Sequence, residues 1–170
     1  LACPVVLLAG SRPPEGMSNE EGRRWYGENL GAAAELAGPY GIVTTIEDFG
    51  CYPDFACAPE HCLEVLDATG RDDVRFTYDN GNFLLANADP MDALARTRAR
   101  SVHVHIKDFM VDPTGQAGLK SADGQAWLGC DIGAGAGRVP EVLAALKQSG
   151  YDGWISLEVS VADAVAGARQ

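Results

Sequence analysis

Four side chains of metal-ligating type close short apolar runs in this chain. Ile42-Val43-Thr44-Thr45-Ile46 leads into Glu47, and Val74-Arg75-Phe76-Thr77-Tyr78 into Asp79. Val102-His103-Val104 leads into His105, and Trp154-Ile155-Ser156-Leu157 into Glu158. Three carboxylates gathered at one point repel each other and do not all stay ionised without a counter-charge. A divalent cation supplies one. Three hard oxygens and one imidazole suit Mn2+ best, with Mg2+, Co2+ and Zn2+ also compatible. A cysteine-rich zinc site is not indicated, because Cys3, Cys51, Cys57, Cys62 and Cys130 include no CxxC pair.

Each residue alone has an ordinary reading. Glu47 alone reads as a loop cap or surface charge, and His105 as a hydrogen-bonded core histidine. Asp79-Asn80-Gly81-Asn82 reads as turn chemistry. The metal reading rests on all four standing at equivalent strand ends. His103 sits one layer deeper and is expected to be buried and hydrogen-bonded. His61 is expected on a helix surface.

The elements that must position these residues follow from pattern. Pro4–Ala9 is a predicted strand ending at Gly10. Ser18 with Glu21 has capping-box form and opens a predicted helix to about Ala37. Strands are predicted at 42–47, 74–79, 102–107 and 154–158. Pro59, Pro90 behind Asp89, and Pro140 each stand at a helix start, giving helices to about Thr69, Arg98 and Gln148. Residues 108–137 are glycine-rich, without clear periodicity, and are expected to be a long loop. Trp127 within it reads equally as a pocket cover or a packing residue. The tail from Val161 is expected to be a short helix at best.

Strand alternating with helix five times implies parallel strands with right-handed crossovers, an α/β fold. In such folds the strand C-termini line the active face. Alternation puts His103, His105 and Lys107 on one face of their strand and Val102, Val104 and Ile106 on the other. The polar set is expected to point inward.

Composition narrows the function. The 170 residues carry a net charge of −11, which argues against binding nucleic-acid phosphates or an anionic membrane surface. No apolar run is long enough to span a bilayer. The apolar start, Leu1 to Gly10, lacks a basic region ahead of it and reads as a strand rather than a secretion signal. Five cysteines, an odd number, predict free thiols in a reducing, cytoplasmic setting.

Four stretches together resemble the xylose isomerase-like TIM barrels, specifically the sugar phosphate isomerases and epimerases. They are Ile46-Glu47-Asp48-Phe49-Gly50, Tyr78-Asp79-Asn80-Gly81-Asn82-Phe83, His103-Val104-His105-Ile106-Lys107-Asp108, and Gly150-Tyr151-Asp152-Gly153-Trp154-Ile155-Ser156-Leu157-Glu158. The resemblance implies one divalent metal held by Glu47, Asp79, His105 and Glu158. It also implies that Glu47 and Glu158 act as the acid/base pair. The implied reaction is isomerisation or epimerisation of a small sugar or polyol through an enediolate. Some epimerases place a substrate-binding histidine where this chain has Asn82, which is expected to line the substrate site. Lys107 occupies a mouth position and is expected to contact substrate. His105 is expected to find Asp108 or a backbone carbonyl as partner for its second nitrogen.

The same enediolate gives a dehydratase, inosose dehydratase-like, if it expels a neighbouring hydroxyl. An apurinic endonuclease of the same superfamily would need more histidine ligands than three histidines provide. A whole (β/α)8 barrel takes about 250 residues. The five strands resemble the fourth to eighth of such a barrel. Residues 1–170 are therefore expected to be a single C-terminal portion of a TIM-barrel domain. Exposed sheet edges favour pairing with a second copy, so a homo-oligomer covering them is expected. A non-catalytic fragment that binds metal or self-associates is the other expectation.

Overall fold

The computed structural model describes residues 3–159. Five strands, β1 (Val5–Leu7), β2 (Val43–Glu47), β3 (Arg75–Asp79), β4 (Ser101–Ile106) and a last strand, Trp154–Leu157, form one sheet. All neighbours in it run parallel. Helices α1 (Asn19–Ala37), α3 (Pro59–Ala68) and α5 (Pro90–Thr97), with Val139–Gln148 before the last strand, provide the crossovers. The result is a half-barrel, as the alternating pattern predicts. The helix after Ser18 starts where expected. The Ser18 hydroxyl accepts the Glu21 N–H at 3.2 Å and Glu21 Oε2 accepts the Ser18 N–H at 3.0 Å.

The core lies between the sheet and the helices. Ile46, Phe76, Tyr78, Val104 and Ile106 point outward from the strands and are fully buried against Val65, Leu66, Phe83 and Val142. Their neighbours in sequence point the other way, into the half-barrel. There Thr45 and Thr77 share a buried hydroxyl hydrogen bond of 2.9 Å.

Register decides which side chains meet. Between β3 and β4 it shifts at Phe76/Thr77, so Phe76 pairs with Ser101 but Thr77 pairs with His103 and Asp79 with His105. Without that shift Asp79 would stand beside Val104 and lose its place next to His105. His105 in turn pairs with Ser156, and Glu158 follows two residues on.

Two readings need correction. Residues 108–137 are not a loop. They hold a three-stranded antiparallel sheet of β5 (Phe109–Val111), β6 (Leu119–Lys120) and β7 (Ala126–Gly129), in the order β5-β7-β6. The final pair is therefore α6 (Val139–Gln148) and β8 (Trp154–Leu157). Asp79-Asn80-Gly81-Asn82 is not a free turn: it opens α4 (Asn80–Leu85), with Asp79 as N-cap. A further short helix, α2 (Pro53–Ala56), follows β2. The predicted helix from Val161 lies outside the described residues.

Among the described residues, no helix is long and apolar enough to cross a membrane. All five cysteines are free thiols.

Candidate metal centre

Glu47 ends β2, Asp79 ends β3, His105 lies near the end of β4, and Glu158 follows β8. One ligand atom from each falls in a group whose members all lie within 4.8 Å of one another. His105 Nδ1 lies 2.6 Å from Glu47 Oε1 and 2.9 Å from Glu158 Oε1. It lies 3.9 Å from Asp79 Oδ2. The expected partner Asp108 is not at His105. Its carboxylate faces the other way and accepts backbone N–H groups from Phe109, Gly133, Gly135 and Gly137 at 2.8–3.0 Å.

Asp79 is fully buried. Its Oδ1 caps α4, accepting the Gly81 and Asn82 N–H groups at 2.9 and 3.0 Å. Its Oδ2 makes no aligned hydrogen bond, although the Lys107 ammonium sits 2.9 Å away. Lys107 Nζ also lies 2.6 Å from Glu158 Oε2 and 3.4 Å from Asn82 Oδ1. Asn82 Nδ2 donates back to the Asp48 carbonyl at 2.7 Å. Both residues expected at the mouth, Lys107 and Asn82, thus adjoin the four-ligand group.

The ionisation states follow from this interleaving. Burial pushes the Asp79 carboxyl up to about 7, against the pull of Lys107. Burial works against the charged His105 imidazole, but hydrogen bonds to Glu158 and Glu47 outweigh it and raise that group to about 9. Glu158 is held down at about 2 by its hydrogen bond to His105, with Lys107 adding to it. Lys107 resists burial and is raised by Asp79 and Glu158.

The donor set fits a divalent ion. It offers three carboxylates and one imidazole on rigid strand ends, with the buried Asp79 Oδ2 left without an aligned donor. Hard oxygen donors with one nitrogen match Mn2+, Mg2+ or Zn2+ in type.

Asp48 is the residue that the sequence reading passed over. It is fully buried, and its Oδ1 accepts the backbone N–H of Asp79 at 2.9 Å. Its Oδ2 has no partner, and burial with Asp79 and Glu47 nearby pushes its carboxyl well up. The signal was present: Asp48 has the parity of Ile46, so a carboxyl stands where alternation calls for an apolar side chain. Asn80 is a second missed support. It accepts the Lys107 N–H at 3.0 Å and donates to the Gly137 carbonyl at 2.7 Å.

The remaining histidines divide. His103 is hydrogen-bonded to Ser156 Oγ at 2.9 Å, as expected, but is half-buried rather than buried. His61 is not fully on the surface: it is half-buried, with a buried Nδ1 that has no partner. Trp127 is half-buried in β7, opposite Val111 and Leu119.

A family model described as a xylose isomerase-like TIM barrel matches residues 1–170. An inosose dehydratase of Lacticaseibacillus casei is 29% identical over 102 residues, covering 55% of this chain and 33% of that protein. An inosose isomerase of Halalkalibacterium halodurans is 24% identical over 159 residues, covering 94% of this chain and 54% of that protein. The crystal structure of a D-tagatose 3-epimerase-like protein superposes with a TM-score of 0.72 at 26% identity, over 97% of this chain and 59% of that one. The chain thus spans from 33% to 59% of the length of these proteins.

Proposed function

The chain belongs to the xylose isomerase-like TIM barrel family, and we propose on that footing that it serves a divalent-metal-dependent sugar isomerase or epimerase. The observation that carries this reading is the convergence of Glu47, Asp79, His105 and Glu158 within 4.8 Å at four strand ends. These four residues would hold the ion, with Mn2+ the best match to the donor set. A bound divalent ion supplies Lewis-acid polarisation of a substrate carbonyl.

The chain's own groups supply the proton chemistry. Glu47 ends β2 and Glu158 follows β8, with β3 and β4 between those strands. Their carboxylates therefore approach a shared substrate from different sides. One removes the proton from the carbon next to the carbonyl, leaving an enediolate, and the other returns a proton on the same or the opposite face. Glu158 reaches the group with one oxygen 2.9 Å from His105 Nδ1 and the other 2.6 Å from Lys107 Nζ. Lys107 and Asn82 bind and orient hydroxyls of a small sugar or polyol. Asp79, fixed from behind by Asp48, carries no proton-transfer role.

A second reading has its own support: the inosose dehydratase relative at 29% identity. Dehydration of a sugar or polyol uses the same first proton abstraction and then expels a neighbouring hydroxyl.

One experiment separates these. The Mn2+-loaded protein is incubated in D2O with a panel of ketoses and inososes and followed by NMR. Isomerase or epimerase action appears as deuterium at the carbon next to the carbonyl, and dehydration as loss of water by mass with new ultraviolet absorption. Glu158→Gln and Glu47→Gln should each abolish the exchange. Exchange that survives both substitutions would sink the reading.

A further inference from the structure

We propose that Lys107 is a built-in competitor for the divalent ion: its ammonium holds oxygens of two of the four donor carboxylates, and loading must displace it. This rests on the metal-site reading above and goes beyond it by assigning Lys107 a role in when the site loads.

Asp79 has one carboxylate oxygen to offer an ion. Its Oδ1 is committed to the Gly81 and Asn82 N–H groups at 2.9 and 3.0 Å. Only Oδ2 remains to face an ion, and Lys107 Nζ sits 2.9 Å from that oxygen. Glu158 is shared in the same way, with Oε1 2.9 Å from His105 Nδ1 and Oε2 2.6 Å from Lys107 Nζ. An ion bound at roughly 2.1 Å from the same oxygens would stand within a few ångströms of the ammonium. Two cations at that separation, in a site where the Lys107 side chain is only 15% exposed, repel with little solvent screening.

Lys107 is not a stray surface group that happens to reach in. Its backbone N–H is held by Asn80 Oδ1 at 3.0 Å. Its aliphatic stem runs over Gly81 so closely that a Cβ there would overlap Lys107 Cγ. Residue 81 is therefore kept free of a side chain along the path of the lysine. Asn82 Oδ1, 3.4 Å away, already accepts from the same ammonium, so Lys107 keeps one partner when an ion takes the Asp79 and Glu158 oxygens. One side chain thus opposes loading of the four-ligand group and stays beside the substrate site.

Two measurements test this. The first is equilibrium dialysis of Mn2+ against the wild-type chain, Lys107→Gln, Lys107→Met and Lys107→Arg, with folding checked by circular dichroism. Removing the charge should tighten Mn2+ binding by about tenfold or more, from the Coulomb repulsion relieved. Lys107→Arg, which keeps the charge, should not tighten it. The second uses the unaltered protein, labelled with an amine-reactive ester and read by mass spectrometry. Labelling of Lys107 should rise when Mn2+ is added, while the exposed Lys120 and Lys147 stay constant. If Mn2+ binds the wild type, but the neutral variants bind no more tightly or Lys107 labelling does not rise, the proposal is overturned and the metal reading stands. If neither the wild type nor the neutral variants bind Mn2+, the metal reading itself fails and the proposal with it.

Discussion

Replacing Asp108 by Asn exchanges one oxygen for a nitrogen and tests how the 108–137 segment is held against the half-barrel. Asp108 is 2% exposed. Oδ1 accepts from Phe109 and Gly137 at 3.0 and 2.8 Å, and Oδ2 from Gly133 and Gly135, each at 2.9 Å. An Asn keeps one acceptor oxygen. It will turn that oxygen to the Phe109 and Gly137 pair, because Gly137 is buried while Gly133 and Gly135 reach solvent. Its NH2 then faces two N–H donors. Two hydrogen bonds to a charged group are lost, at about 1.5–3 kcal/mol each. Water at the exposed glycines recovers part of this, leaving a net cost of about 2–3 kcal/mol. At a urea slope of roughly 2 kcal/mol per M, the unfolding midpoint falls by about 1–1.5 M. Asp108→Ala strands the two buried donors as well and should cost about 4 kcal/mol. The assay is urea denaturation followed by circular dichroism. A midpoint shift under about 0.3 M for Asp108→Asn, at unchanged slope, would refute the hydrogen-bond reasoning.

Other perturbations have equally definite outcomes. Gly137→Ala would push a Cβ to 2.8 Å from Asp108 Oδ1 and 2.5 Å from Asn80 Nδ2; thermal or urea melts should show a loss of about 1–3 kcal/mol. Asp48→Asn keeps an acceptor for the Asp79 N–H and removes a buried carboxyl, so stability should hold or rise. Asp48→Ala leaves that N–H stranded and should cost about 1–3 kcal/mol in the same melts. Asp112 is held down to about 2 by N–H donation from Ala117 and by Thr114. A depressed carboxyl stabilises the fold above its unfolded value of 3.8 and loses that contribution as pH falls toward 2. Asp112→Asn should therefore flatten the acid limb of the stability curve below pH 4, measured by melting across a pH series.

The four ligand positions were legible because β2, β3, β4 and β8 are short apolar runs, each reaching its polar residue at the same end. Parity then put His105 on the inner face. The shift at Phe76/Thr77 was not legible, although it is what aligns Asp79 with His105. Nothing in Arg75-Phe76-Thr77 marks a register change; it appears only when two strands are paired. The antiparallel sheet within 108–137 was missed because its strands are two to four residues long, too short for periodicity to show. The segment after β7 is held by one side chain, Asp108, meeting backbone N–H groups some 25 residues away. Asp79-Asn80-Gly81-Asn82 was ambiguous for a chemical reason. An Asp that starts a turn and an Asp that caps a helix accept the same N–H groups. Burial of Phe83 against Phe76 and Tyr78 in the core selects the helix.

The central claim is that Glu47, Asp79, His105 and Glu158 form one divalent-metal site. Calorimetric titration of Mn2+ into the metal-stripped chain tests it most directly, with Asp79→Asn as control. Binding close to one ion per chain is expected, lost or greatly weakened in Asp79→Asn. No binding, or binding that Asp79→Asn leaves unchanged, would contradict it.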